Sequence, residues 1–263
     1  LAVKAQQFTL FFQPLVNTSE GCIGAEAMLR WQKPDGKIIA PVDFIPISEE
    51  TGIIHEMGCW ALEESCLQFM RWREEALPHL RHIAVNISPR QFMHEDFVRN
   101  VEDIVRRTGI PSGCLELEVT ENLLLDDYHS VAAKMKALKP LGIRFAIDDF
   151  GTGYSSLAYI KKLPIDKIKI DRAFVTDVLT DPDDVCIIES IIALAGKMSM
   201  QLLAEGVESR EQVARLIELG CHDFQGFFFG RPVNAIAFST LCRKLSPAGV
   251  IYLIENSAEE GGA

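Results

Sequence analysis

No apolar run in this chain reaches the roughly 18 residues that a membrane-spanning helix needs; Glu189, Ser190, Gly196 and Lys197 interrupt even its richest stretch. The opening residues, LAVKAQQF, carry no signal-peptide core. No membrane contact is therefore expected of the domain. The chain opens in mid-pattern, as a piece of a longer protein would, and whether that parent is membrane-anchored stays open. Positive charge is scarce too, with 26 Lys and Arg against 37 Asp and Glu and a net charge of -11. Broad binding to duplex nucleic acid, which depends on many cations neutralising phosphates, is not expected. A small anionic substrate could still bind through metal ions.

Paired cysteines are missing as well. The seven thiols (Cys22, Cys59, Cys66, Cys114, Cys186, Cys221, Cys242) are an odd number with no CxxC and no matched histidine spacing, which excludes a zinc ribbon and a disulfide framework and fits reduced cytosolic thiols. The GTG of residues 151–153 lacks the spacing of a dinucleotide fingerprint, so NAD binding is not expected. Within residues 1–250 there is no linker, repeat or low-complexity block, and these residues read as one domain. Residues 251–263 read as a partly disordered tail, frayed from Ser257.

What is present is a globular balance, 48% hydrophobic and 24% charged. Short β-rich runs alternate with amphipathic helical patterns almost throughout, the signature of βα units and a parallel sheet. The strand candidates are Phe8 to Val16, Cys22 to Trp31, His82 to Ser88, Cys114 to Thr120, Ile143 to Asp148, Ile165 to Ile170, Gln201 to Ala204 and Cys221 to Gln225. Eight such strands suit a closed barrel. Only Asn17 to Gly21 joins the first two; that is a hairpin, so one barrel strand is expected to run antiparallel. Ser209 with Gln212 spells a capping box, and Asp183 is expected to mark the start of the helix whose apolar run begins at Val185.

Nearly every strand candidate ends on an acid or amide: Glu26, Asn86, Glu118, Asp148 with Asp149, Lys169 with Asp171, Glu205 and Gln225. In a barrel these ends meet at one rim, where active sites of that fold lie. Strand parity puts Gly24, Glu26, Met28 and Arg30 on one face, and Glu116, Glu118 and Thr120 inward with Leu115, Leu117 and Val119 toward the helices. Parity fails for the adjacent Asp148 and Asp149; the chain must turn over the rim there, which Gly151 and Gly153 make easy. Lys167 shares the parity of Lys169, but a second buried lysine would be costly, so it is expected in solvent where the strand begins. Asp171 and Glu208 read equally well as rim ion-pair partners. Phe227, Phe228 and Phe229 read as packing, with a base-stacking role open to one of them.

A single pair of carboxylates ~4 Å apart repels by about 4 kcal/mol at an effective dielectric near 20, so several acids at one rim must be protonated or hold cations. The all-oxygen set suits Mg²⁺ or Mn²⁺ rather than zinc. Two ions bridged by Asp148 would activate water and steady a leaving oxygen on a phosphodiester. Lys169 could orient or deprotonate that water, and Arg30 offers a fork for phosphate. Ca²⁺, with looser coordination, is expected to bind and inhibit.

In order along the chain stand FQP, EAM, FIPISEETG, VNIS, ELEVTE, DDFGTGYSSL, LPIDKIKID, AEGVE and QGF. From Phe12 to Pro232 the chain thereby resembles the EAL-domain cyclic di-GMP phosphodiesterases. The resemblance implies a modified TIM (β/α)8 barrel with one antiparallel strand and hydrolysis of cyclic di-GMP to linear pGpG with two Mg²⁺ or Mn²⁺ ions. It implies that Glu26, Asn86, Glu118 and Asp148 bind the first metal, and Asp148, Asp149 and Glu205 the second. Lys169 would hold the water, with Asp171 and Gln225 supporting the metal-water shell. Gln13, Arg30, Glu208 and Gln225 would line the substrate site, and Glu121 would anchor the loop from Asp149 to Gly153. A homodimer and an upstream sensory or GGDEF-type domain are further implications. The departures are Met28 where the signature triplet has Leu, a nearly volume-conserving change, and Phe12 where Tyr is common. Two rival readings are a catalytically weak or inactive cyclic di-GMP receptor, which typically lacks metal-binding acids, and a barrel enzyme stabilising an enolate, which would not need Arg30.

Overall fold

The computed structural model describes residues 7–75, 77, 79–123, 127–151 and 160–256. The chain opens with a long hairpin, β1 (Phe8–Asn17) and β2 (Gly21–Gln32), in which Gln13 lies opposite Glu26. Asn17 Oδ1 accepts from the backbone N–H of Ser19 at 2.9 Å and Glu20 at 3.1 Å, and so folds the turn. Gly21 closes it at φ 81, where a Cβ would lie 2.4 Å from the Leu245 carbonyl oxygen.

A two-residue strand, β3 (Ile38–Ile39), pairs with the end of β2; it is too short to leave a periodic signal and was not expected. Then come β4 (His82–Asn86), β5 (Leu115–Thr120), β6 (Arg144–Phe150), β7 (Lys167–Ile170), β8 (Gln201–Ala204) and β9 (Asp223–Phe224). From β2 through β4 to β9 neighbours run parallel, and β1 closes the ring antiparallel to both β2 and β9. Eight strands thus form a closed, modified TIM barrel with helices outside it and one antiparallel member, as the hairpin required, and β3 is extra.

Parity sorts the side chains. Leu115, Leu117 and Val119 are buried against the helices in the main apolar cluster, each contributing about 1.5–3 kcal/mol of burial relative to exposure. The barrel interior differs: Leu15, Ala84 and Leu203, in phase with Gln13, Asn86 and Glu205, form a small separate apolar cluster with Ile23. Beneath it lie charges. Lys167 is 1% exposed and not in solvent as expected, because Glu116, 51 residues earlier, meets it at 2.5 Å with a compensating charge.

Ser209 and Gln212 make the expected capping box. The helix Pro182–Met198 is capped instead by Asp181, whose carboxylate accepts from the Asp183 N–H at 2.8 Å, so Asp183 lies in the first turn. Pro182 explains the shift, since its fixed φ suits the first helical position and starts the helix earlier. The helix Pro247–Asn256 runs across the boundary expected at residue 250, with Val250 buried; Ser257 to Ala263 lie outside the described residues. None of the seven cysteines is disulfide-bonded. No helix among the described residues is long and apolar enough to cross a membrane.

Candidate active site

The strand ends gather at one rim as register dictates. Glu26 pairs with Ala84 one step from Val85, Asn86 sits beside Glu118, and Thr120 beside Asp148. Lys169 stands at the centre, 1% exposed, with its Nζ 2.7 Å from Glu205 Oε1, 2.9 Å from Glu118 Oε1, 2.9 Å from Asp148 Oδ1 and 3.7 Å from Glu26 Oε2. Burial alone would lower the lysine's pKa. Asp148, Glu118, Glu205 and Glu26 together outweigh it and hold the ammonium well above the ordinary lysine range. Despite these distances, Lys169 Nζ, both oxygens of Glu118 and Asp148 Oδ1 are buried without an aligned hydrogen bond. The ammonium sits among the acids rather than on the axis of any one.

Glu26 is fixed from both sides: Oε1 accepts from Asn86 Nδ2 at 2.5 Å and Oε2 from Gln225 Nε2. Gln225 also donates to Gln13 Oε1 at 3.0 Å, and Gln13 donates to the Gly230 carbonyl at 3.0 Å. Gln225 is held by its backbone, which donates to Ala204 O and accepts from the Val207 N–H. Gly226 makes this possible, since a Cβ there would lie 1.9 Å from Val207 O.

Asp149 answers the parity problem. Its φ of 53 is left-handed, unusual for a residue other than glycine though open to Asp. The β6–β7 register breaks between Ile147 and Phe150 at the same place. The carboxylates of Asp148, Asp149 and Glu205 thereby each bring an oxygen within 4.8 Å of the others. Burial, the Asp148 charge and a carboxyl–carboxyl hydrogen bond with Asp171 push Asp149 up to about 6. Glu205 rises to about 8, chiefly through burial, with Asp148 and Glu26 adding to it and Lys169 opposing. Glu118 is raised by burial and then by Glu26.

Glu121 is buried, and its Oε2 accepts from the Gly151 N–H at 3.0 Å, holding the start of the segment that follows Asp149. Gly153 lies outside the described residues. Asp171 caps the helix Arg172–Thr176 through the Ala173 N–H at 2.7 Å. Neither Asp171 nor Glu208 has an ion-pair partner among the described residues, and both line the cleft above the acids. That cleft holds about 900 Å³. Arg30 lines it with one guanidinium nitrogen already donating to the Leu29 carbonyl at 2.9 Å.

Arg172 on the cleft wall escaped sequence reasoning, as did Arg231, whose guanidinium lies 4.1 Å from the ring centre of the cleft-lining Phe227. Each adjoins a motif, KID or QGFFFG, and adjacency was the available signal. Of the three phenylalanines, Phe229 is core and Phe227, 46% exposed, lines the mouth.

The donor set fits hard divalent cations. Its acids are all oxygen ligands, and the buried oxygens of Glu118 and Asp148 lack the hydrogen bonds that would otherwise satisfy them.

The family model described as "EAL domain" matches residues 1–232. The signaling protein YkoW of Bacillus subtilis is 40% identical over 88% of this chain and 29% of its own length. MucR of Pseudomonas aeruginosa, named a bifunctional diguanylate cyclase/cyclic di-GMP phosphodiesterase, is 40% identical over 89% of this chain and 34% of its own. A solved structure described as the PaMucR phosphodiesterase in complex with c-di-GMP superposes with a TM-score of 0.86 at 39% identity, covering 90% of this chain and 96% of that one. The chain belongs to the EAL domain family, and it spans about a third of the length of these curated relatives.

Proposed function

We propose that this chain is a metal-dependent phosphodiesterase that hydrolyses cyclic di-GMP to linear pGpG. One observation carries the reading: Lys169 among the carboxylates of Glu26, Glu118, Asp148 and Glu205 at the floor of the cleft. Its support is the c-di-GMP complex of the PaMucR structure and the completeness of the acid set.

Glu26, Asn86, Glu118 and Asp148 would hold one divalent ion, and Asp148, Asp149 and Glu205 a second, as Mg²⁺ or Mn²⁺. When bound, such a pair lowers the pKa of water and offsets charge on the phosphate and leaving oxygen. The chain's own residues do the rest. Lys169, kept as an ammonium, donates a hydrogen bond to the attacking water and orients it. Glu205, whose Oε1 lies 2.7 Å from Lys169 Nζ, would take that water's proton. Gln225 and Gln13 hold Glu26 in place, and Asp171 steadies Asp149. Arg30 and Glu208 face the substrate, with one guanidinium edge of Arg30 free of Leu29 for a phosphate oxygen. Glu121 holds the loop after Asp149 at Gly151.

The domain would act in the cytoplasm as a homodimer, within a longer protein carrying an upstream sensory or GGDEF-type domain; the two-part name of MucR and the share of its length matched here support that placement. The deciding experiment incubates the protein with cyclic di-GMP and Mg²⁺, Mn²⁺ or Ca²⁺ and follows pGpG by chromatography. Product is expected with the first two and not with Ca²⁺. Binding of cyclic di-GMP without product under all three would establish the receptor reading instead.

A further inference from the structure

Two lysines of β7 point into the barrel, and only one belongs to the acid cluster. Lys167, two residues before Lys169 and in phase with it, has its Nζ 2.5 Å from Glu116 Oε1 and 3.2 Å from His82 Nε2. Glu116 likewise precedes Glu118 by two residues and is fully buried, with Oε2 3.3 Å from Arg144 Nη2. The interior therefore carries two tiers of the same design: Lys169 with Glu118 at 2.9 Å above, Lys167 with Glu116 at 2.5 Å below. His82 adds no charge to the lower tier, since burial and then the lysine hold its pKa down to about 3.

The tiers join strands that the backbone does not. β5 and β7 are separated by β6, whose residue between Arg144 and Asp148 on the inward face is the small Ala146. No backbone hydrogen bond of the sheet links β5 to β7 directly. A buried ion pair adds little stability over an apolar pair of equal volume, whereas its short contact imposes geometry. Its two ends sit one inward step below Glu118 and Lys169.

We propose that Glu116 and Lys167 are positioning residues, an internal brace that sets the height and separation of Glu118 and Lys169 for metal binding and turnover. The turnover half of this inference rests on the phosphodiesterase reading; the metal-binding half does not.

The test replaces both members with apolar residues of similar size, Glu116→Leu with Lys167→Met. Arg144 is left its Gln201 partner. A melting temperature close to that of the unaltered protein is expected. Mn²⁺ affinity by electron paramagnetic resonance should fall by about tenfold or more, as loss of a group supporting metal ligands typically does. kcat should fall in parallel while KM holds. Glu116→Asp with Lys167→Arg, which keeps the charges and roughly the summed length, should recover most of the Mn²⁺ affinity. A folded Leu/Met variant that binds Mn²⁺ like the unaltered protein would overturn the proposal. Should that variant not fold, the ¹⁵N signal of the Lys169 ammonium, assigned with Lys169→Met, decides: it should move in Glu116→Gln, and an unmoved signal would overturn the proposal. If the unaltered protein makes no pGpG, the phosphodiesterase reading fails while the Mn²⁺ and NMR results still decide this one.

Discussion

Asp148 and Asp149 are consecutive, yet their carboxylates reach the same site because Asp149 adopts φ 53 where β6 breaks register with β7. A regular strand would send the second to the opposite face. The two positions should therefore respond differently to substitution. Asp148→Ala, like Glu26→Ala, is expected to abolish turnover. Asp149→Asn should keep the fold, since Asn tolerates the left-handed region, and lose most activity. Melting curves alongside pGpG assays check this, and substantial turnover in Asp148→Ala would refute the proposed place of Asp148 in both metal sites.

Met28 occupies the third position of the signature triplet and lines the cleft without joining the acid contacts. Met28→Leu conserves volume, so stability should change by less than about 1.5 kcal/mol. The rate of pGpG formation should be nearly unaltered.

Without metal, Glu205 is raised from 4.5 to about 8 and Asp149 from 3.8 to about 6. For an acid with a raised folded pKa, the unfolded chain loses its proton first. Their contribution therefore falls as pH climbs from the unfolded pKa values toward the folded ones. Below about pH 6.5 the buried neutral His82, held down to about 3, opposes this fall, so the metal-free protein should lose melting temperature between about pH 6.5 and about pH 8, and Glu205→Gln should flatten that slope. Cations favour the ionised form, so Mg²⁺ binding should release protons at pH 7, measurable by calorimetry in two buffers of different ionisation enthalpy. Identical heats in both would contradict the shifts.

Gly226→Ala forces a Cβ to within 1.9 Å of the Val207 carbonyl oxygen, a backbone atom that cannot swing away. A loss of about 1–3 kcal/mol is expected, in the range of overpacked sites. Activity should drop further than stability because Gln225, the neighbour of Gly226, holds Glu26. Urea titration with parallel assays separates the two.

The eight barrel strands were legible because each carries an apolar period, ended in nearly all of them by a polar residue, and the antiparallel member followed from the shortness of the first turn. Convergence of the acids was legible for the same reason, since strand ends of a barrel share a rim. Lys167 was not: the cost of burying it could be seen, but its offset comes from Glu116 on a strand 51 residues away, which no local pattern reports. Asp181 was missed as a cap because the apolar run begins later than the helix does, with Pro182 between. The reach of Asp149 was visible only as a contradiction, and its backbone turn resolves it.

The reversed direction of β1 has a further consequence. In an all-parallel barrel the first strand starts on the face away from the reaction centre; here Phe8 pairs with Trp31, at the end of β2 beyond Glu26. Gln7 joins this pairing, its carbonyl accepting from the Gln32 N–H. The described chain thus enters the barrel at Gln7 on the side of the acidic rim, so a change at this entry reaches the opening without passing through the body of the barrel.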